Sequence, residues 1–204
     1  MKGSIVAIVT PMLENGEVDF DSFKKLLSFH EENNTDGIVL VGTTGESATL
    51  SAYEREEIFK FAVEETEIPL MAGVGSSSTK EACRLAEMAA KTGITECLAV
   101  TPYYNKPSQT GLELHFTELA NTHAMITLYN VPGRTGVDLL PATTKKLIEN
   151  ENIIGIKEAV SSIARLEELA DLKRLKPNFN LLSGDDPTFV DFMKMSADGV
   201  ISVA

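Results

Sequence analysis

Short apolar runs alternate with amphipathic stretches along the whole chain, and this alternation predicts eight strands separated by helices. The predicted strands are Ser4–Val9, Gly37–Val41, Pro69–Val74, Cys97–Thr101, Met125–Asn130, Ile153–Glu158, Phe179–Ser183 and Gly199–Val203. The predicted helices between them are Asp19–Glu32, Ser51–Glu65, Thr79–Lys91, Leu112–Asn121, Ala142–Glu149, Ser162–Leu175 and Pro187–Met195. The second helix begins with Ser51 and Glu54 at the spacing of a capping box.

The regular spacing of these elements favours one fold class. The chain has 204 residues, so it contains roughly one strand for every 25 residues, a period typical of parallel strands joined by helical crossovers. The pattern predicts an α/β protein with a closed (β/α)8 TIM barrel, as one domain over residues 1–204. A doubly wound open sheet is the alternative. That fold usually has a glycine-rich phosphate loop after its first strand, where this chain has Thr10–Met12.

Composition and charge narrow the possible partners. The net charge is −12, which argues against nucleic acid and against anionic membranes. No apolar run is long enough to predict a transmembrane helix. Cys83 and Cys97 stand far apart without a metal-ligand or redox pattern, so we expect them to be reduced, as in a cytoplasmic protein. The three histidines show no metal-ligand spacing.

The run Ile153–Ile156 ends in a lysine, and this is the most informative stretch of the sequence. A run of this composition predicts a strand that is buried on both faces, with Gly155 and Lys157 on the face opposite Ile154 and Ile156. Burial of Lys157 would lower its pKa and expose a neutral amine, which is a nucleophile toward a carbonyl carbon. From this stretch alone, a lysine that extends to solvent at the strand end remains the alternative.

Polar side chains also follow other predicted strands. The turn Gly42–Ser47 offers hydroxyls and backbone amides for a carboxylate, or it is an ordinary capped turn. Strand parity points Tyr129 to the barrel interior, beside Lys157. Arg134 follows in the next loop and suits a bidentate contact to a carboxylate, or else a surface ion pair. A lysine, a tyrosine, threonine hydroxyls and an arginine together fit Schiff-base chemistry on a small compound that carries a carbonyl and a carboxylate.

Six motifs together resemble the dihydrodipicolinate synthase family, pyruvate-dependent class I aldolases that also include N-acetylneuraminate lyase. The resemblance runs from Gly3 to Ala204. The motifs are Ile5–Pro11, Gly42–Ser47, Thr101–Asn105, Tyr129–Pro132, Gly155–Ala159 and Gly199–Val203.

The resemblance implies a function and a set of site residues. The implied reaction is the Schiff-base condensation of pyruvate with L-aspartate 4-semialdehyde to 4-hydroxy-tetrahydrodipicolinate, in diaminopimelate and lysine biosynthesis, without a metal or organic cofactor. The implied catalytic residues are Lys157 for the Schiff base, Tyr129 for acid–base work, and Thr43 and Tyr104 for a proton relay. The implied substrate contacts are Thr44, Arg134, Gly184 and Ile201. In the family the relay's second tyrosine comes across a dimer interface, so a homo-oligomer is expected.

Two departures from the family bear on these expectations. Family members normally continue past the eighth strand with a helix and a small helical domain, so we expect low activity or altered assembly here. A family pocket for lysine feedback falls on Ser47, Ala48, Ser77, Glu81 and Tyr103, but its two histidines are replaced by Ala52 and Arg55. Two alternatives stay open: a sibling aldolase of the N-acetylneuraminate lyase type, and a shortened paralogue that binds pyruvate or a partner with little turnover.

Overall fold

Eight parallel strands close into a barrel in the computed structural model, which describes residues 1–203. The strands pair in chain order, and β1 pairs with β8 to complete the ring. The strands are β1 Gly3–Ala7, β2 Gly37–Leu40, β3 Leu70–Gly73, β4 Glu96–Val100, β5 Met125–Asn130, β6 Ile153–Glu158, β7 Asn180–Ser183 and β8 Gly199–Ser202. The predicted (β/α)8 fold is therefore confirmed.

Helices on the outside connect the strands. They are α1 Phe20–Glu32, α2 Ala52–Glu65, α3 Thr79–Lys91, α4 Gln109–Ala120, α5 Pro132–Thr135, α6 Pro141–Leu147, α7 Ile163–Leu175 and α8 Phe189–Lys194. The predicted capping box is present, since Ser51 Oγ accepts from the Glu54 amide and the Glu54 carboxylate accepts from the Ser51 amide. Within residues 1–203, no helix has both the length and the apolar character needed to cross a bilayer.

Apolar side chains form two separate regions on the two faces of the sheet. One region fills the barrel interior and includes Ile5, Val39, Met71, Leu98, Tyr129 and Ile201. The other, larger region lies between the barrel and the helices and includes Ile126, Leu128 and Ile156. This division follows the alternation of side chains along each strand. It places Tyr129 inside the barrel, as parity predicted.

Some predicted boundaries were wrong by one to three residues. β1 ends at Ala7 rather than Val9, and beyond it the Thr10 hydroxyl donates to the Gly45 carbonyl at 2.8 Å. The sequence pattern also missed α5, a single turn that begins with a proline and ends at Gly136 with a left-handed φ of 73°. At the last strand, the outward-facing Val200 is buried and Val203 is exposed.

Candidate active site

A cavity of about 330 Å³ opens at the carboxyl ends of the strands. This is the end of a (β/α)8 barrel at which catalytic residues lie in characterised enzymes. Seven of the eight residues that the sequence assigned to catalysis and substrate binding line it: Thr43, Thr44, Tyr129, Arg134, Lys157, Gly184 and Ile201. The structure thus brings together side chains that come from five different strands or the loops that follow them.

Lys157 stands at the end of β6 and points into this cavity. Its side chain is only 6% exposed. Desolvation by burial lowers the pKa of Lys157 to about 8, the nearby Asp186 carboxylate partly opposes this change, and Arg134 adds to it. The amine is therefore much easier to deprotonate than an ordinary lysine, as nucleophilic attack on a carbonyl requires.

Tyr129 lies beside this amine on the neighbouring strand. The Cα atoms of Tyr129 and Lys157 are register partners, and the lysine Nζ is 4.3 Å from the centroid of the tyrosine ring. Burial raises the pKa of the phenol, although the charge of Arg134 acts in the opposite direction. Tyr129 is therefore a neutral hydroxyl near neutral pH, able to donate a proton next to the nucleophile.

The turn after β2 supplies two hydroxyls to the cavity. Thr43 and Thr44 line its wall, and Thr43 and Tyr129 also line a second cavity of about 20 Å³, which is about the size of one water. The turn leaves the strand through Val41, whose φ is 53°. This left-handed conformation is strained for a β-branched residue and is typical of positions that a functional site holds in place.

Arg134 is carried by α5, directly after Tyr129 and β5. Its guanidinium lines the mouth of the cavity, and the side chain is exposed rather than buried in an ion pair. Its charge acts on both Tyr129 and Lys157, as their pKa values reflect. A planar cation at the mouth of a cavity is suited to gripping the carboxylate of an incoming substrate.

Gly184 follows β7 and makes room for the lysine. A Cβ at this position would lie 2.8 Å from Lys157 Cε and 3.0 Å from Lys157 Cγ. Its amide donates to the Glu158 carbonyl at 2.7 Å, which holds the two chain segments together. Asp186, which begins the short helical turn after β7, also lines the cavity.

Tyr104 is the one proposed catalytic residue that the chain does not bring to the cavity. Its side chain is 92% exposed and its φ is 73°. Its amide donates to the Thr135 carbonyl at 3.3 Å, which fixes the loop against α5. Within one chain, Tyr104 and Lys157 therefore do not share a site.

Three of the five residues assigned to an effector pocket, Ser47, Glu81 and Tyr103, lie close to Arg55. The Arg55 guanidinium donates to the Ser47 carbonyl and, at 3.3 Å, to the Leu50 carbonyl. Burial lowers the pKa of Arg55, and the neighbouring Tyr103 and Glu81 act against that change. Of the other two assigned residues, Ser77 accepts from Asn105 through its carbonyl at 3.0 Å, and Ala48 is exposed. Arg55 therefore places a positive charge beside three of the positions assigned to the effector pocket.

Behind the cavity, a polar cluster surrounds the fully buried side chains of Asn130 and Glu158, and the sequence analysis did not identify it. It joins Asn130, Asp138, Glu158 and Arg165. One signal was available, because Glu158 ends a strand that is apolar on both faces, and a carboxylate there needs a partner. In the described residues, no group of three or more His, Cys, Asp or Glu side chains is placed to hold a metal ion.

Comparison with known proteins gives consistent matches over the whole chain. A family model described as the dihydrodipicolinate synthetase family matches residues 1–204. A 4-hydroxy-tetrahydrodipicolinate synthase from Buchnera aphidicola subsp. Schizaphis graminum is 50% identical over 205 residues, covering 99% of this chain and 69% of that protein.

Solved structures agree with the sequence matches. A chloride-inhibited dihydrodipicolinate synthase from Acinetobacter baumannii, complexed with pyruvate, superposes with a TM-score of 0.95 at 47% identity, covering 99% of this chain and 70% of that one. A monomeric dihydrodipicolinate synthase variant gives a TM-score of 0.95 at 39% identity, covering 100% of this chain and 69% of that one. With its barrel, its cavity lysine and these matches, the chain belongs to the dihydrodipicolinate synthetase family.

Proposed function

We propose that this chain catalyses the condensation of pyruvate with L-aspartate 4-semialdehyde through a Schiff base on Lys157. The observation that carries the proposal is the buried lysine at the end of β6, whose pKa is lowered to about 8, in a cavity that also holds Tyr129 and Arg134. The relatives at about 50% identity are 4-hydroxy-tetrahydrodipicolinate synthases, so the chain is a lyase of lysine and diaminopimelate biosynthesis.

The first half of the reaction activates pyruvate. The neutral Lys157 amine adds to the ketone carbon of pyruvate, and loss of water gives an imine. Tyr129 donates the proton that the leaving hydroxyl needs, and its phenolate then accepts a proton from the methyl carbon to give an enamine. Thr44 and the amides of its turn hold the pyruvate carboxylate.

The second half forms the new carbon–carbon bond. The enamine carbon adds to the aldehyde carbon of the semialdehyde, whose carboxylate Arg134 grips at the cavity mouth. The amino group of the semialdehyde then attacks the imine carbon, closes the ring and displaces Lys157 as a free amine. The chemistry needs no further redox agent, because every electron pair comes from the two substrates and the lysine.

We also infer the oligomeric state of the active form and its cellular compartment. Tyr104 is exposed in one chain, so we infer that it reaches the relay of Thr43 and Tyr129 in a second copy, and that the active form is at least a dimer. We also infer a cytoplasmic location, because Cys83 and Cys97 are free thiols, as is usual in a reducing compartment.

A substrate comparison tests the proposed reaction. Purified protein is incubated with pyruvate and either L-aspartate 4-semialdehyde or N-acetylmannosamine, and the products are separated and identified by mass. We expect 4-hydroxy-tetrahydrodipicolinate from the first pair and little product from the second, because Arg134 serves a carboxylate that the amino sugar lacks. Preferential reaction with the amino sugar would assign the chain to the N-acetylneuraminate lyase type. Pyruvate binding without either product would favour a paralogue with little turnover.

A further inference from the structure

Four polar side chains form a closed network on the outer face of the barrel, which we term the outer cluster: Asn130, Asp138, Glu158 and Arg165. The Glu158 carboxylate is fully buried. It accepts from Asn130 Nδ2 at 3.1 Å, from the Val160 amide at 2.9 Å and from Arg165 Nη1 at 3.2 Å. Arg165 also grips Asp138 with two hydrogen bonds, of 2.9 and 2.6 Å. These donors fix the position of the carboxylate, although burial is the larger effect and raises the pKa of Glu158.

The outer cluster is one residue away from the catalytic pair along both strands. Tyr129 is followed by Asn130 on β5, and Lys157 is followed by Glu158 on β6. The two following residues are themselves register partners, directly beyond the Tyr129–Lys157 pair. Because successive side chains point to opposite faces, Asn130 and Glu158 bind each other outside the barrel while Tyr129 and Lys157 face the cavity. The Asn130–Glu158 bond therefore fixes the relative height of the two strands at the point where the chemistry occurs.

The same cluster closes the loop that carries Arg134. Asn130 begins this loop, and its side chain accepts from the Leu139 amide at 2.9 Å and donates to Asp138 at 2.8 Å. The two ends of the segment that includes α5 are thus tied to one another and, through Arg165, to α7. An exposed guanidinium on a short helix depends on such anchoring to keep a defined position over the cavity.

We propose that the outer cluster is a positioning device for the condensation: the Asn130–Glu158 contact aligns Lys157 with Tyr129, and the Asp138–Arg165 contact holds the loop that presents Arg134. None of the four residues lines the cavity, so they act through the residues that do. The inference rests on the proposed function, in which Lys157 reacts with pyruvate and Arg134 binds the semialdehyde. It predicts that substitutions in the outer cluster affect pyruvate activation and condensation with the semialdehyde to different extents, depending on which contact is lost.

Two variants of the cluster and one matched control test this inference. Arg165→Met leaves the buried Glu158 carboxylate without its cationic partner and also removes the partner of Asp138, whereas Asp138→Asn weakens only the loop contact. The control is Lys176→Met, because Lys176 follows the other end of α7 and donates to the Asn150 and Ile153 carbonyls at 2.9 Å, at the start of β6. The measurements are the rate of pyruvate trapping by borohydride, the KM for the semialdehyde, kcat, and the folded fraction from thermal melting.

The inference predicts a split that a loss of stability alone does not produce. Arg165→Met is expected to slow trapping and raise the KM for the semialdehyde by about tenfold or more each, since a misplacement of about 1 Å can cost a hundredfold in rate. Asp138→Asn is expected to raise that KM and leave trapping close to wild type. For Lys176→Met, we expect neither the trapping rate nor the KM for the semialdehyde to change by more than the loss of folded protein explains.

Two results would overturn the inference, and they differ in what they say of the proposed function. If wild-type protein traps pyruvate normally but Arg165→Met and Asp138→Asn lose activity only in proportion to folded protein, as Lys176→Met does, the cluster is structural alone. If wild-type protein traps no pyruvate, the proposed function fails, and the inference fails with it.

Discussion

The Lys157 Nζ lies 4.3 Å from the centroid of the Tyr129 ring, on adjacent strands in direct register. An aromatic face favours the charged ammonium, whereas burial disfavours it. Burial is the larger effect, because the pKa of Lys157 falls to about 8 from an ordinary value of 10.5. The pair therefore places a readily neutralised amine beside a phenol, which together can form an imine and move its protons.

The first prediction concerns the pH dependence of pyruvate trapping. With a pKa of about 8, about 9% of Lys157 is neutral at pH 7, against about 0.03% for an unperturbed lysine. The rate of borohydride trapping should therefore rise with pH through about 8 and level off above it, because deprotonation creates the nucleophile. A rate that keeps rising up to pH 10 would contradict a lowered pKa.

Two variants test whether the charge of Asp186 contributes to the midpoint of the pH profile of pyruvate trapping. The Asp186 carboxylate raises the pKa of Lys157, so Asp186→Asn should move the midpoint of the pH profile to lower values. Asp191→Asn removes the same charge from α8, outside the cavity lining, and should leave the midpoint in place. Equal shifts in both variants would point to net charge rather than to Asp186.

A methyl group at Gly184 should impair Lys157 without unfolding the barrel. The new Cβ would come within 2.8 Å of Lys157 Cε, 3.0 Å of its Cγ and 3.2 Å of the Glu158 carbonyl oxygen, so the flexible lysine must move away and the backbone must shift by a few tenths of an ångström. We expect Gly184→Ala to slow trapping at least tenfold, since reacting groups tolerate little misplacement, with a small change in melting temperature. In the control Gly133→Ala, the added Cβ meets nothing within 4 Å, and trapping should stay near wild type.

Removal of Arg134 should separate the two substrates. Loss of a charge-assisted hydrogen bond typically costs about 1.5–3 kcal/mol, so Arg134→Ala should reduce kcat/KM for the semialdehyde about 10- to 150-fold. Arg134 also lowers the pKa of Lys157, and its loss should slow trapping modestly at pH 7. Trapping measured at pH 9 removes most of this indirect effect.

Arg134→Lys provides the matched control for that experiment. It keeps the charge near Lys157 but loses the planar fork that binds a carboxylate bidentately. It should therefore retain the wild-type pH profile of trapping while the KM for the semialdehyde rises. If both variants lose trapping at pH 9 as strongly as condensation, Arg134 does not select the second substrate.

Mixing two inactive variants tests whether a site is shared between subunits. Tyr104 is exposed in its own chain and does not line the cavity that holds Lys157. Mixtures of Tyr104→Phe and Lys157→Ala chains should regain part of the activity, because some mixed dimers contain one intact site. Absence of recovery after subunit exchange has been verified by native mass spectrometry would count against a shared site.

Much of the fold follows from patterns that are local in the sequence. The strand Ile153–Glu158 and helix Thr79–Lys91 were predicted to the residue, because apolar periodicity and flanking turn residues define both. The turn α5 was missed because Pro132–Thr135 is too short to show helical periodicity. The closure of β1 on β8 follows only once eight equivalent units are recognised.

The residues that line the cavity were predictable from the sequence, but the contacts that support them were not. Lys157 and Tyr129 stand out because polar groups at the ends of buried strands need an explanation. The contact of Arg165 with Asp138 joins residues 27 positions apart, and no local pattern indicates such a pairing. The position of Tyr104 depends on a second chain under our proposal, and a single sequence carries no direct signal for that contact.

The most direct test of the central claim is identification of the lysine that carries pyruvate. The protein is treated with pyruvate and borohydride, and the intact chain and its peptides are analysed by mass spectrometry, with Lys157→Ala as the comparison. The account predicts one reduced pyruvate adduct per wild-type chain, located on Lys157, and none on the variant. An adduct on a different lysine, or unchanged labelling of the Lys157→Ala chain, would contradict it.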